Sequence, residues 1–488
     1  MSDAIHSSAP ASPALVEFTS LESWLASAPA AQLPLHSVES EQHARGREVQ
    51  RLLLQAHLAQ RGYGDAGPAL TVTGPDGVTQ RYTHRRLSTR TITTIFGPVQ
   101  IGRLGYSQPG ASSVYPLDQA LALPARSFSY ELQRRLVKAA VLNPFLESVT
   151  TIAELTGVSV PKRSAEQIVR DAAQDFDAFY QQPRRPAPDS GPLLVAAIDC
   201  KGIPMVKPES NAPSAPRLTK GQKANRKRMA TVAAVFTRQP SVRTPTQVIE
   251  SLFRTRSKQE SALLPTPPRP ENKRVWASLT KGKTAVIDEV IAEMQKRDPA
   301  LTKTRLALTD GERALQILVD QKLGITLILD FIHVLEKLWR AAFVFHREGS
   351  LEAELWVLDR ALLVLSGDVS QVVKGLRQSV TKRRLSGVKR STLLALAAYF
   401  YRNRHRMRYD EYLANGWPIA SGAVEGACKN LIKDRMERSG MRWTETMAEA
   451  VVKLRAIYLS GDFNGYWLFH IQQEQSRLYA DRRAVVPK

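Results

Sequence analysis

Three acidic residues stand where a carboxylate could act on a substrate. LLVAAID (193–199) and RLALTD (305–310) are short apolar runs of strand character, each closed by an aspartate, Asp199 and Asp310. ITLILD (325–330) ends the same way in Asp330. Strand ends of an α/β sheet converge on one edge, where such folds place their sites. Two carboxylates brought together there repel unless a cation lies between them. Hard divalent ions such as Mg²⁺ take oxygen ligands and keep several waters, so a few carboxylates and a substrate phosphate complete the shell. Glu425 fits the third carboxylate that a two-metal phosphodiester site needs. It follows the small Ser421-Gly422-Ala423 turn, and the helix beyond carries Lys429, Lys433 and Arg435, available to an anion. Asp310 lies 111 residues after Asp199, and Glu425 a further 115 beyond. A plainer reading exists for each: an Asp closing a strand can cap a helix, and Asp310-Gly311 can be a turn. Cys200 and Cys428, beside Asp199 and one turn past Glu425, read as packing residues.

The 488 residues suggest about three domains. A composition of 43% hydrophobic and 23% charged residues is that of a globular chain. The longest uncharged apolar run, Leu393 to Tyr401, is nine residues, too short to cross a bilayer. The opening MSDAIHSSAPASP has neither a basic start nor an apolar stretch, and two cysteines make no disulfide scaffold. The expectation is a soluble, cytoplasmic protein. Its net charge of +22 is concentrated: residues 201–260 hold 13 Lys/Arg against three Asp/Glu, and residues 371–410 hold 11 against Asp410 alone. Clustered cations favour a nucleic-acid partner, because each phosphate they neutralise releases condensed counterions. Lys220, Lys223, Arg226, Lys227 and Arg228, in KGQKANRKR (220–228), read as phosphate contacts. Trp417 and Trp443 read as core rather than base-stacking residues.

Certain elements must hold these residues in place. Residues 1–40 are Ala-, Ser- and Pro-rich and read as a flexible leader with one short helix near Leu21 to Ala26. The 41–180 region reads as a mixed α+β DNA-binding part. Glu41 to Gln60 has helical spacing, Thr71 to Tyr106 reads as a β-meander with a hairpin turn at GPDG (74–77), and helices follow. Within it, a helix from Phe145, the turn Thr156 to Ser159 and a second helix bearing Lys162 and Arg163 are either a helix-turn-helix or an ordinary helical hairpin. QQPRRPAPDSGP (181–192) is a linker. Beyond it, strands alternate with helices over 193–335, as in an α/β sheet. An all-helical insertion spans 336–415, the core resumes over 416–460, and 461–488 reads as a C-terminal tail.

These motifs resemble those of DDE transposases of bacterial insertion sequences, most closely the ISKra-type family, which is related to Mutator-like transposases. AIDCKG around Asp199, LTDGERA around Asp310, LDFIHVLEKLW (329–339) and SGAVEGACKNLIKDRMERSGMRW (421–443) carry the likeness, with TRTITTIFGPVQIGRLGY and YPLDQALALP in the N-terminal part. It covers the chain from about residue 45. Asp330-x-x-His333 matches a signature that follows the second catalytic Asp in Mutator-type enzymes, and we take both residues as accessory rather than as ligands. The resemblance implies an RNase H-like catalytic core. Two Mg²⁺ ions, or Mn²⁺ in their place, would be held by Asp199, Asp310 and Glu425. It also implies cleavage and strand transfer at the ends of the element, and a homo-oligomer on DNA. Two alternatives remain: a nuclease that cuts without strand transfer, and a transposase-derived DNA-binding protein.

Overall fold

The computed structural model describes residues 12–73, 77–183, 190–206, 227–253, 268–420, 422–479 and 483–485. The chain divides into two compact units, one made of Met1–Phe179 and Asp462–Lys488, the other of Tyr180–Gly461. Lys220, Lys223, Arg226 and most of the GPDG turn lie outside the described residues.

In the first unit the described part of the expected loose leader, from residue 12 on, is mostly helical. Ser12 caps the helix Pro13–Leu25, its hydroxyl accepting the Leu15 N–H at 3.3 Å with proline at the first helical position. Ser27 and Pro29 start a further turn in the same way. The composition that suggested disorder is here helix-initiation chemistry. A long helix, Leu35–Gln60, returns alongside, tied by Arg45 Nε to Glu17 at 3.0 Å. The expected meander is two separate pairings. β1 (Leu70–Thr73) pairs with β2 (Thr79–Tyr82) and, on its other edge, with the strand Arg483–Val485. β3 (His84–Thr94) and β4 (Gly97–Ser107) form a long hairpin of their own. Its apolar side packs Ile92, Val99 and Ile101 on Leu117 and Leu123.

The helices Phe145–Thr156 and Lys162–Ala172 meet through Gly157, whose φ of 66° is a left-handed cap that a side chain rarely adopts. Ala165, Ile168, Val169 and Ala172 face inward, while Lys162 and Arg163 face solvent. The segment expected to be a tail forms the helix Phe463–Tyr479. His470, fully buried, meets Asp175 at 2.7 Å, and Arg477 holds the same carboxylate by two bonds of 2.6 and 3.0 Å. A pattern with few local signals becomes a helix because its buried face has partners far away in sequence.

The second unit is a mixed α/β structure. Its sheet, five-stranded among the described residues, has the order β7-β6-β5-β8-β9. These are β5 (Leu193–Pro204), β6 (Lys227–Arg238), β7 (Glu271–Ser278), β8 (Thr304–Thr309) and β9 (Thr326–Leu329). β5, β6 and β7 pair antiparallel, and β8 and β9 follow parallel to β5. Leu193 to Ile198 are all buried because helices cover both faces of a central strand, so an unbroken apolar run replaces alternation. The helix Lys283–Arg297 links β7 to β8, and Arg313–Leu323 links β8 to β9. Arg274 of β7 lies over the rings of Tyr180 (3.6 Å) and Trp276 (4.4 Å) and is ion-paired with Glu293, which also holds Arg297 at 2.8 Å. Four longer helices follow: Phe331–Ala342, Leu351–Leu365, Val369–Lys382 and Gly387–Asn403. The chain then returns through Gly422–Ala427, a wider π-turn over Cys428–Lys433, and the helix Glu445–Leu459. No helix among the described residues is long and apolar enough to cross a membrane.

Candidate active site

Asp199 and Asp310 leave the sheet side by side. β5 and β8 are parallel neighbours in which Ile198 pairs with Thr309, so the two aspartates are the next residues along. β5 runs on to Pro204 instead of stopping at Asp199, because β6 keeps pairing with it in an antiparallel ladder. Both carboxylates are half-buried. Burial and the charge of Asp199 hold the Asp310 carboxyl above the ordinary range, although the Glu312 N–H and His333 oppose them. That N–H donates to Asp310 Oδ1 at 3.0 Å, fixing the turn.

Cys428 has a different place from the packing role expected of it. Its thiol donates to Asp199 Oδ2 at 3.1 Å, and burial together with the Asp199 charge keeps it protonated. The helix bearing Glu425 is thereby fastened to the first aspartate. Glu425 itself, one turn earlier, is exposed, and among the described residues no group of three His, Cys, Asp or Glu side chains is placed to hold a metal. The donor set therefore fits a divalent cation in part. Two repelling carboxylates at an open sheet edge suit an ion that keeps its waters, and the third carboxylate stands off.

Asp330, fully buried, caps the helix Phe331–Ala342 by accepting the Ile332 N–H at 2.7 Å, while its own N–H donates to Thr309. This ties the helix to the end of β8. His333 lies with Nδ1 3.9 Å from Asp330, beyond hydrogen-bond reach. The neighbouring Asp330 carboxylate, with Glu336 and Asp310 adding to it, pushes the imidazole up to about 9, so it is a cation at neutral pH.

The basic residues divide. Lys429 and Lys433 are exposed. Arg435 is not available to phosphate: it is fully buried, its guanidinium 4.9 Å from the Trp443 ring centre. Trp443 is buried as well, and its indole donates to Met436 O at 2.9 Å. Lys227 is paired with Glu437 at 2.6 Å, Arg228 with Glu445, and Lys162 with Glu166 at 3.8 Å.

Two neighbours of the pair have no counterpart in the sequence reading. Lys283 opens its helix 2.5 Å from Glu312, within electrostatic reach of Asp310 and Cys200. Tyr399, from the helical block, brings a phenol whose hydroxyl is buried without a hydrogen-bond partner. Burial and the Asp310 charge keep it protonated. A Cβ on residue 311 would collide with that hydroxyl, so Gly311 is the one sequence sign of the close approach. Gly311→Ala is expected to cost about 1–3 kcal/mol by forcing the ring aside, read as a lower urea midpoint at unchanged slope.

No family model and no curated protein matches the sequence. Among solved structures, the chain is similar to the Drosophila P element transposase strand transfer complex, at 11% identity over 72% of this chain and 82% of that one, with a TM-score of 0.24.

Proposed function

We propose that the chain is a DNA transposase that cuts and rejoins phosphodiesters at the Asp199–Asp310 edge of an RNase H-like core interrupted by helices. The observation that carries this reading is the pair itself: two carboxylates from adjacent parallel strands, one held above its usual range by burial and by the charge of the other. The sheet order, three antiparallel strands followed by two parallel ones, supports the core.

Asp199 and Asp310 would hold Mg²⁺, with Mn²⁺ as substitute, and Glu425 is the residue that would complete the shell of a second ion. The bound ions would supply Lewis acidity, lowering the pKa of the attacking hydroxyl and stabilising the leaving oxygen. The chain's own groups do the rest. Cys428 fixes the orientation of Asp199, and the Glu312 N–H fixes that of Asp310. Cationic Lys283 and His333 offset phosphate charge entering the site, and the Tyr399 hydroxyl is a free donor beside Asp310. Exposed Lys162, Arg163, Lys429 and Lys433 would contact the DNA, and a homo-oligomer would bring two ends together.

The stand-off of Glu425 favours a second reading, a DNA-binding protein that does not cut. Incubating the purified chain with DNA carrying the element's ends, in Mg²⁺ or EDTA, separates the two. Mg²⁺-dependent nicks and joined products are expected. Nicks without joined products would make it a nuclease, and binding without cleavage in either buffer would leave the second reading.

A further inference from the structure

Between Asp368 and Asp410 the chain has no acidic residue. The structure folds most of this span into the hairpin of Val369–Lys382 and Gly387–Asn403. Lys374, Arg377, Lys382, Arg384, Lys389 and Arg390 are exposed, and among the described residues none of them meets a carboxylate. Several other cations of the same unit are matched: Arg274 with Glu293, Arg305 with Asp298, Lys283 with Glu312. Pairing resumes just past the hairpin, where Arg406 meets Asp320 and Arg408 meets Glu411.

The placement also opposes helix electrostatics. Lys389 and Arg390 occupy the first turn of their helix with no acidic residue there, where the dipole disfavours cations. A surface kept only for solubility mixes both signs. This one concentrates repulsion that an incoming polyanion would relieve.

An aromatic platform adds to it. Tyr401 is 49% exposed, with the Arg404 guanidinium 4.2 Å from its ring centre and Arg377, from the other helix, at 5.6 Å. From Arg390 to Tyr401 a helix advances about 16 Å, roughly half a turn of duplex. A membrane-binding face would instead need an apolar stripe. Exposed large apolar side chains here are confined to Val388 at the tip and Leu394.

We propose that the exposed cations of this helical hairpin form a DNA-docking surface gripping the phosphate backbone of a duplex, distinct from the Tyr399 side chain that meets the Asp310 turn. It rests on the reading that DNA is the partner, and its test keeps the two separable. The probe is a fluorescent 40-bp duplex of arbitrary sequence, titrated against the full chain at several salt concentrations. The variant is Lys382→Gln, Arg384→Gln, Lys389→Gln, Arg390→Gln. We expect at least a tenfold weaker affinity at about 0.1 M salt and a log–log salt slope shallower by about 3.6, because four phosphate contacts are gone. Removing like charges should leave the thermal midpoint equal or higher. If that protein does not fold, Lys382→Gln with Lys389→Gln should give half the slope change, and Lys382→Arg with Lys389→Arg should give none. Wild type and variant binding with one slope would overturn the hairpin assignment while DNA remained the partner. A wild type that ignores DNA but binds phosphatidylserine vesicles through these cations would overturn both.

Discussion

Asp199→Asn is expected to lower strand cleavage by about 10³–10⁴-fold, the scale seen when one member of a catalytic set is removed. Duplex binding should persist, since Asp199 is no part of a cationic surface. Stability separates a catalytic role from a structural one. An acid whose value is raised in the folded state destabilises it above that value and leaves it untouched below the unfolded value. Asp310 is such an acid, and the charge of Asp199 is one of its causes. Asparagine removes that charge yet keeps an oxygen to accept the Cys200 N–H. The variant should therefore be at least as stable as wild type at pH 7, with any gain fading as pH falls through the carboxylate range. A marked drop in thermal midpoint together with normal cleavage would make Asp199 a structural residue.

Glu293→Ala is expected to cost about 3–5 kcal/mol in unfolding free energy, because it leaves Arg274 buried with its charge unmatched. The side chains of both partners are only 8% exposed, and Arg297 shares the carboxylate. Replacing the pair together, Arg274→Met with Glu293→Leu, should recover most of the loss. The pH dependence has a definite sign. Burial pushes the Glu293 carboxyl up, but Arg274 and Arg297 outweigh it and leave it below the ordinary 4.5. A depressed carboxyl contributes stability that is present above its unfolded value and lost as pH falls through the folded one. The difference between wild type and Glu293→Gln should thus be complete at pH 7 and shrink below about 4.5. Urea titrations at pH 7, 5 and 3.5 would show it, and a constant gap would refute the ion-pair account.

The aspartate pair was legible because a buried strand is an unbroken apolar run and its last residue is easy to place. Asp199 and Asp310 needed no tertiary information. β7 has no such signal: it opens on the polar run Glu271 to Arg274, and the strand is completed by Val275, Trp276 and Ala277 beneath the helix Glu445–Leu459. Arg435 and Lys433 look alike in sequence, and only the path of the chain to Trp443 turns one of them inward. Tyr399 was illegible for a related reason, since no local period tells which face of a distant helix will meet the Asp310 turn. The leader failed because Ser and Pro serve both loops and helix starts.

The second unit interrupts the first, and this sets an order of assembly. Thr71 pairs with Val485, and Asp175 finds His470 and Arg477 only in the last helix. Closing a flexible loop of about 400 residues costs roughly 5 kcal/mol in chain entropy, less if the intervening part has already condensed. A nascent chain halted before residue 462 could complete the sheet that bears Asp199 and Asp310 while β1 waited for its partner strand. The half made first is thus finished last, and the carboxylate edge would exist in the cell before the unit that begins the chain could close.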